Sequence, residues 1–214
     1  MSEVQQSIGV IHLSNVRVSH LYCFEPYVGK PTPQIPNPKP VYKADFLLPP
    51  THPDLVRVAA VVEAVGAAKQ WKAAQGVQLS WAQVKEQLKA QDKMCLHRGD
   101  VTAAGQPEYA GMFFVKGNNY KPFSIFDGDR SILTAKDGRP YSGCYVNAII
   151  DIYAQDNQFG RRINATITGI QYLSKGDAFG AGPPPAKAEE FGVVAANADQ
   201  ATPTAGVDPL AGLV

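Results

Sequence analysis

Alternating hydrophobic and polar positions near the N-terminus predict a β-strand over residues 9–22. Its two faces carry Val16, Val18 and His20 on one side and Arg17 and Ser19 on the other. Six prolines follow within residues 23–42. Because proline cannot donate to a β-ladder, this stretch is expected to be a long loop, and long loops in compact domains are often functional. A second, short strand is predicted at 43–49, where two prolines end it.

The pattern changes to helical spacing after the second strand. Apolar residues recur at intervals of three and four over 53–74 and again over 81–91, which predicts two helices. Ser80 is a suitable N-cap for the second helix. Trp71 and Trp81 are expected to pack in the core rather than to form a site.

The second half of the chain returns to strand patterns, which Gly and Asp-Gly turns separate. The predicted strands are 111–117, 121–128, 141–155 and 162–173. Five or more strands with two interposed helices predict a mainly β fold. The interpretation is a Greek-key barrel of the OB type with a helical insertion at about 53–91. A β-sandwich is the competing architecture.

Composition excludes several classes of protein. A chain of 214 residues with 45% hydrophobic and 18% charged residues can bury one sizeable core, and it is too apolar to be disordered throughout. No apolar run approaches the roughly 18 residues of a membrane span. The N-terminus also lacks the pattern of a signal peptide. Three widely spaced cysteines without a CxxC pair argue against a disulfide framework or a zinc site, and they are typical of a reducing cytoplasm.

The net charge of +1 conceals an asymmetry along the chain. The first 187 residues carry 20 basic and 15 acidic side chains, whereas the remaining residues carry four acidic side chains and no Lys or Arg. An Ala/Gly/Pro-rich segment without periodicity occupies 181–214. We therefore expect a folded domain over 1–180 and a flexible, mildly acidic tail over 181–214.

The strand at 141–155 contains the most informative candidate site. One face is small and apolar, and the opposite face carries Tyr141, Tyr145 and Tyr153. Exposed rings on one strand would form a stacking platform for nucleobases of any sequence, because every base has a π-face. Cross-strand packing on a half-exposed sheet is the alternative explanation for these tyrosines.

Other aromatic and basic side chains alternate around this strand. A groove for single-stranded nucleic acid needs both kinds, since cations neutralise phosphates and rings stack bases. The further candidate rings are Phe24, Tyr27, Phe114 and Tyr120, and the candidate cations are Lys43, Lys116, Lys121, Arg139, Arg161 and Arg162. The proline-rich segment at 26–40 is expected to act as a flap over the strand or as a contact with the next protomer.

Signals for catalysis are weaker. Asp127, Asp129 and Asp151 are candidate metal ligands for phosphoryl chemistry, which keeps a metal-dependent nuclease as an alternative. The surrounding Asp-Gly sequences are also good turns, and HRGD at 97–100 is interpreted as a turn. The chain has no GxSxG, P-loop or GxGxxG motif. The sequence therefore favours a non-enzymatic protein without metal or cofactor. A structural β protein that assembles through its faces is the third alternative.

Six segments follow one another in a characteristic order. They are NVRVSHLYCFEP (15–26), YKADFLLPP (42–50), HRGD (97–100), EYAGMFFVKGNN (108–119), YSGCYVNAIIDIYAQDN (141–157) and ITGIQYLSKGDAFG (167–180). Over roughly residues 10–192 the chain resembles a family of phage single-stranded DNA-binding proteins with an OB fold, and Tyr-Ser-Gly-x-Tyr-x-Asn is the most specific part. The resemblance implies sequence-independent binding of single-stranded DNA during replication or recombination, in the cytoplasm of the infected host.

The C-terminal segment departs from the usual pattern of such proteins, which often end in a densely acidic tail with a hydrophobic tip that recruits replication proteins. Here the acids are sparse, although Asp208 and the terminal Leu213-Val214 keep part of the pattern. Recruitment of phage or host replication proteins through the tail is thus an open expectation, as is self-association on DNA. No membrane partner is expected. The near-neutral charge predicts moderate affinity, because the electrostatic contribution scales with the phosphates neutralised.

Overall fold

The computed structural model describes residues 8–33, 36–73 and 76–180. The strands of this part are β1 (Val10–Tyr27), β2 (Val41–Leu48), β3 (Trp71–Lys72), β4 (Gln78–Leu79), β5 (Leu96–Arg98), β6 (Phe113–Asn119), β7 (Ser124–Phe126), β8 (Tyr145–Asn157) and β9 (Gly160–Ser174). The helices are α1 (Pro53–Ala68), α2 (Trp81–Ala90) and α3 (Gly99–Thr102). The predicted flexible tail at 181–214 lies outside the described residues. Within the described part, no helix has the length and apolarity needed to cross a membrane.

Five strands close into a barrel in the order β6-β2-β1-β8-β9. The barrel closes because β9 pairs in parallel with β6 at Thr166 and Asn118, while the other four neighbouring pairs are antiparallel. Two short strands extend the sheet, β5 beside β6 and β7 beside β9. A closed five-stranded barrel confirms the predicted OB type, and the β-sandwich alternative is wrong.

The long strand β1 serves both sides of the barrel because it bends. Its first half pairs with β8 and its second half with β2, and the pairing register shifts near Asn15 and His20. These two residues have positive φ angles of 53° and 47°, as expected where a bulge bends a strand. The second bulge turns His20 away from the core. The prediction that His20 shares the face of Val16 and Val18 is therefore wrong.

Inward-facing side chains of all five barrel strands form the main core. On β8 the predicted apolar face is confirmed, since Val146, Ala148, Ile150 and Ile152 are all buried. Burying a side chain of this kind contributes roughly 1.5–3 kcal/mol, so the alternation on this strand fixes which face points inward.

Helix α1 covers one side of the barrel with Val58, Val62 and Val65, as its spacing predicts. It ends at Ala68, short of the predicted 74, because the chain turns there into the β3–β4 hairpin. Helix α2 begins after Ser80, whose side chain accepts a hydrogen bond from the Gln83 N–H in a capping box. The predicted N-cap is thus confirmed.

The two tryptophans hold the hairpin against the helices. Trp71 is buried, and its ring stacks on that of Trp81 with 5.9 Å between centroids. The Trp71 indole N–H donates to the carbonyl of Gly66 at 2.8 Å. The prediction that both tryptophans are packing residues is confirmed.

The segment between β5 and β6 covers the outer face of β6. The HRGD sequence, interpreted as a turn, instead forms the end of β5 and the start of α3. Gly99 permits the close packing here, because a Cβ at this position would lie 2.0 Å from the Tyr109 carbonyl oxygen. This segment becomes one wall of the candidate site.

Candidate nucleic-acid interface

Outward-facing side chains of β2 and β6 line a groove of about 390 Å³. The register places Lys43 opposite Asn118 and Asp45 opposite Lys116, and strand alternation points all four side chains to the outer face. Tyr120, which follows β6 and is 69% exposed, also lines the groove. Two lysines and an exposed ring thus share one open surface.

The C-terminal half of β1 adds two tyrosines, Tyr22 and Tyr27, beside Lys43 of this groove. The Lys43 ammonium lies 3.8 Å from the centroid of the Tyr27 ring and 5.1 Å from that of Tyr22. Cation–π contacts of this kind hold a lysine in place while its charge stays available. Burial lowers the pKa of Lys43, so desolvation is the main influence on this ammonium. Sequence reasoning identified Tyr27 and missed Tyr22, which the bulge in β1 brings alongside.

A hydrogen-bonded network of Tyr109 and His20 holds the Asp45 carboxylate in this groove. The Tyr109 hydroxyl donates to Asp45 Oδ2 at 2.7 Å, and it accepts from His20 Nδ1, also at 2.7 Å. Because a hydroxyl has one proton, His20 must carry its own proton on Nδ1. The Asp45 carboxylate, whose Oδ2 lies 3.4 Å from His20 Nδ1, raises the pKa of His20, and burial raises the pKa of the Tyr109 phenol. This network was missed because it depends on the bulge at His20.

The segment that follows α2 fills a gap between β6 and β9. The Lys116 N–H donates to the Cys95 carbonyl at 2.9 Å, and the Ile163 N–H donates to the Lys93 carbonyl at 3.0 Å. Lys93 is thereby placed beside Lys116 and Arg162, all of which line a second cavity next to the groove. The basic surface therefore continues from β2 across β6 to β9.

The β8–β9 turn places one further ring at the far end of this surface. Phe159 is 72% exposed, and its backbone N–H donates to Asn157 Oδ1 at 2.9 Å. A Cβ built on the adjacent Gly160 would lie 3.8 Å from the ammonium of Lys93, so the turn lies beside a residue that lines the second cavity. Sequence reasoning missed Phe159, although a single large apolar ring in a polar turn was a usable signal.

The three tyrosines of the predicted platform do not form one surface. Tyr141 precedes β8, packs partly buried against the core, and its hydroxyl donates to the Gly176 carbonyl at 3.0 Å. Tyr145 and Tyr153 both face outward on β8, but they lie roughly 26 Å apart along the strand. The prediction that the three tyrosines share one outward strand face is therefore wrong for Tyr141, and Tyr145 and Tyr153 stay candidate stacking residues.

Residues 175–180 explain what the YSGCY segment does in this fold. The Arg17 guanidinium donates to the carbonyls of Gly143 and Asp177, at 2.9 and 2.8 Å. It lies 4.2 Å from the centroid of the Phe179 ring and 5.9 Å from that of Tyr145. Gly143 has a φ of 109°, and a Cβ there would lie 2.1 Å from the Asp177 carbonyl oxygen. The motif thus holds the end of the folded domain against β1 and β8.

Phe114 is the clearest error among the predicted stacking rings. It is fully buried beneath the groove, with 0% exposure. Its ring packs edge-on against Tyr109 at 4.8 Å and face-on against His97 at 5.1 Å. No base could reach it without unfolding this wall, so its assignment as a stacking residue is wrong.

Two more predicted residues lie away from the groove. Arg139 forms an ion pair with Asp127 at 2.6 Å and lies over the ring of Tyr172, on the β7 side of the sheet. Phe24 packs against a small core cluster that contains Ile125. The structure therefore does not bring Arg139 or Phe24 together with Lys43 and Lys116.

The other predicted cations have different surroundings. Lys121 is exposed directly after Tyr120, beside the groove. Arg162 lines the second cavity, whereas Arg161 pairs with Asp156 at 3.3 Å and donates to the Lys72 carbonyl. Arg161 thus anchors the β8–β9 turn to the β3 strand.

A family described as the ssDNA-binding protein of Enterobacter phage Enc34 matches residues 9–202. The chain belongs to this family. The resemblance inferred from the order of the sequence segments is thereby confirmed.

One protein sequence and two solved structures are similar to this chain over most of its length. The "Putative protein p50" of Acyrthosiphon pisum secondary endosymbiont phage 1 is 33% identical over 183 residues, which cover 85% of this chain and 91% of that protein. The structure of the bacteriophage Enc34 single-stranded DNA-binding protein in complex with ssDNA superposes with a TM-score of 0.64, at 22% identity over 81% of this chain and 91% of that one. Another structure of the Enc34 protein gives 0.61, at 21% identity over 86% and 90% of the two chains.

Membership of the Enc34 family leaves no support for the nuclease alternative. In the described part of the chain, no three His, Cys, Asp or Glu side chains lie close enough together to hold a metal ion. Asp127 is engaged by Arg139, and Asp129 accepts hydrogen bonds from Ser131 within its own turn. Asp127 is thus an ion-pair residue and Asp129 a turn residue.

Proposed function

We propose that this protein binds single-stranded DNA without sequence preference and coats it during phage replication or recombination, in the cytoplasm of the infected host. The groove across β2 and β6 carries the proposal, because it combines Lys43 and Lys116 with the rings of Tyr27 and Tyr120. Cations in such a groove neutralise phosphates, and rings stack on bases of any kind. The function is binding and involves no covalent chemistry.

The proposed DNA path follows the features that OB folds use for oligonucleotides. These are the face of barrel strands two and three and the connections that flank it. Here they correspond to β2 and β6, the proline-rich connection at 28–40, and the β8–β9 turn. The path runs from Tyr120 across the lysines to Phe159. The path does not include Tyr141, Phe24, Phe114 or Arg139. Four further residues remain separate predictions of DNA contact: Lys121, Tyr145, Tyr153 and Arg161.

Fluorescence anisotropy of a labelled oligo-dT tests this function directly, with a duplex of equal length as the competitor and EDTA present. We expect strong preference for the single strand. Affinity should fall with salt at a log–log slope of about −0.7 for each phosphate neutralised. Equal affinity for duplex, or no binding to either, would contradict the proposed function. No binding to either DNA would favour the alternative that the protein has a structural role.

The His20 network predicts that binding strengthens as the pH falls. Nearby phosphates favour the protonated ring, so the pKa of His20 rises further when DNA binds. At pH values between the pKa of His20 in the free protein and that in the DNA complex, binding is accompanied by proton uptake. The affinity for DNA therefore decreases as the pH rises through this range. Titrations with oligo-dT between pH 5.5 and 8.5 should show that the affinity of the His20→Gln variant depends less on pH than that of the wild type.

The matched control for this pH dependence is His12→Gln. His12 is exposed and lies at the other end of β1, beside a cavity that does not include the groove residues. Its replacement should leave the pH dependence unchanged. If His20→Gln and wild type show the same pH dependence, the His20–Tyr109–Asp45 network does not take part in binding.

A further inference from the structure

A second cavity of about 140 Å³ lies between β6 and β9 and adjoins the DNA groove. The two share Lys116 and Asn118 in their walls. The cavity collects three cationic side chains, Lys93, Lys116 and Arg162, against one carboxylate, Asp92. It therefore has a net positive lining and adjoins the proposed DNA path.

Two buried polar atoms in the walls of this cavity have no hydrogen-bond partner among the described residues. They are Nε2 of His97 and Nε of Arg162. The His97 side chain is only 4% exposed. A buried polar atom without a partner costs free energy, so a ligand that hydrogen bonds to both atoms would recover it.

The state of His97 follows from its other ring nitrogen. Nδ1 lies 2.9 Å from Asp92 Oδ1, and an ionised carboxylate only accepts, so Nδ1 carries the proton of the neutral ring. Nε2 is then an unprotonated acceptor. Burial lowers the pKa of His97, and the charge of Lys116 acts in the same direction. An anion in the cavity would oppose both effects and favour protonation at Nε2, which could then donate to it.

We propose that this cavity binds one backbone phosphate of single-stranded DNA through Lys93, Lys116 and Arg162, and that His97 takes up a proton from solvent when the phosphate enters. This inference rests on the proposed DNA-binding function. It assigns His97 a role as a proton-coupled phosphate ligand, in addition to its packing against Phe114. Asp92 stabilises the imidazolium that forms.

Nitrogen-15 NMR of the histidine rings tests the proposal near pH 7. In the free protein, His97 should show one protonated and one unprotonated nitrogen. At saturation with oligo-dT, both nitrogens should become protonated. A parallel titration with inorganic phosphate distinguishes the source of the anion. A change with DNA alone means that the chain delivers the phosphate, and a change with both means that the cavity also accepts free phosphate. Either result supports a phosphate ligand.

The result that overturns the proposal is an unchanged His97 spectrum while anisotropy shows that DNA is bound. That outcome leaves the proposed function intact. If oligo-dT does not bind at all, the proposed function itself fails. The two failures are thus distinguishable in the same sample.

A pair of charge-matched variants gives an independent readout. Arg162→Gln should weaken oligo-dT binding by about tenfold or more at low salt, because a charge-assisted contact is lost. It should also reduce the salt slope by about 0.7. Arg130→Gln removes the same charge from an exposed residue at a cavity outside the groove, so it should change affinity less than twofold. Equal losses in both folded variants would mean general electrostatics and would overturn the phosphate site.

Discussion

Replacing Tyr120 and Phe159 together by alanine should weaken oligo-dT binding by about 30-fold or more and leave the fold intact. Each ring that stacks on a base contributes about 1–3 kcal/mol, and 1.4 kcal/mol corresponds to a factor of ten. The two side chains are 69% and 72% exposed, so the folded state loses few contacts when they are removed. Anisotropy titrations give the affinity, and thermal unfolding shows whether the variant folds.

The matched control removes two other exposed apolar side chains. Val56 on α1 and Ile132 after β7 are 74% and 76% exposed, and neither lines the groove. The Val56→Ala/Ile132→Ala variant should bind oligo-dT like wild type. Wild-type affinity in the Tyr120/Phe159 variant would show that the DNA does not follow the path between these two rings. The single variants then assign the loss to either end of the path.

The barrel could be predicted from sequence because strand burial is a local pattern. On β8 the alternation of apolar residues identified the inward face without any knowledge of the partner strands. The limits of β1 could not be predicted in the same way. Residues 23–27 were expected to belong to a loop, and they are extended because Tyr27 pairs with Val41 across the connection. Such pairing is a long-range contact that a local pattern does not contain.

In the candidate site, too, the residues identified from the sequence follow a local pattern, and the features that were missed depend on the three-dimensional fold. The alternation of rings and cations identified Tyr27, Lys43, Lys116 and Tyr120. The last three line one groove, and Tyr27 lies against Lys43. The His20 network was missed because a bulge reverses the direction of the side chain. The prediction for Tyr141 was wrong for a related reason. Residues 175–180 pack against the YSGCY segment, and the periodicity within that segment does not predict this long-range contact.

Replacing Phe114 by alanine should lower the free energy of unfolding by about 3–5 kcal/mol, because Phe114 is a core residue and not a stacking ring. The predicted strand parity was right, since Phe114 and Lys116 do share the outer face of β6. The error lay in HRGD at 97–100, which was taken for a turn. It instead leads into α3 and the segment up to residue 109, which covers that face. Phe114 is consequently a core residue beneath the groove, between Tyr109 and His97.

The variant that separates the two roles is Phe114→Leu. Leucine fills most of the same volume, so the free energy of unfolding, measured in denaturant, should fall by less than about 1.5 kcal/mol relative to wild type. A leucine cannot stack on a base, whereas it can keep the wall of the groove in place. Oligo-dT affinity should therefore stay within a few-fold of wild type. A Phe114→Leu protein of near-normal stability that binds tenfold more weakly would show that the ring reaches DNA, and that the 99–109 wall opens when DNA binds.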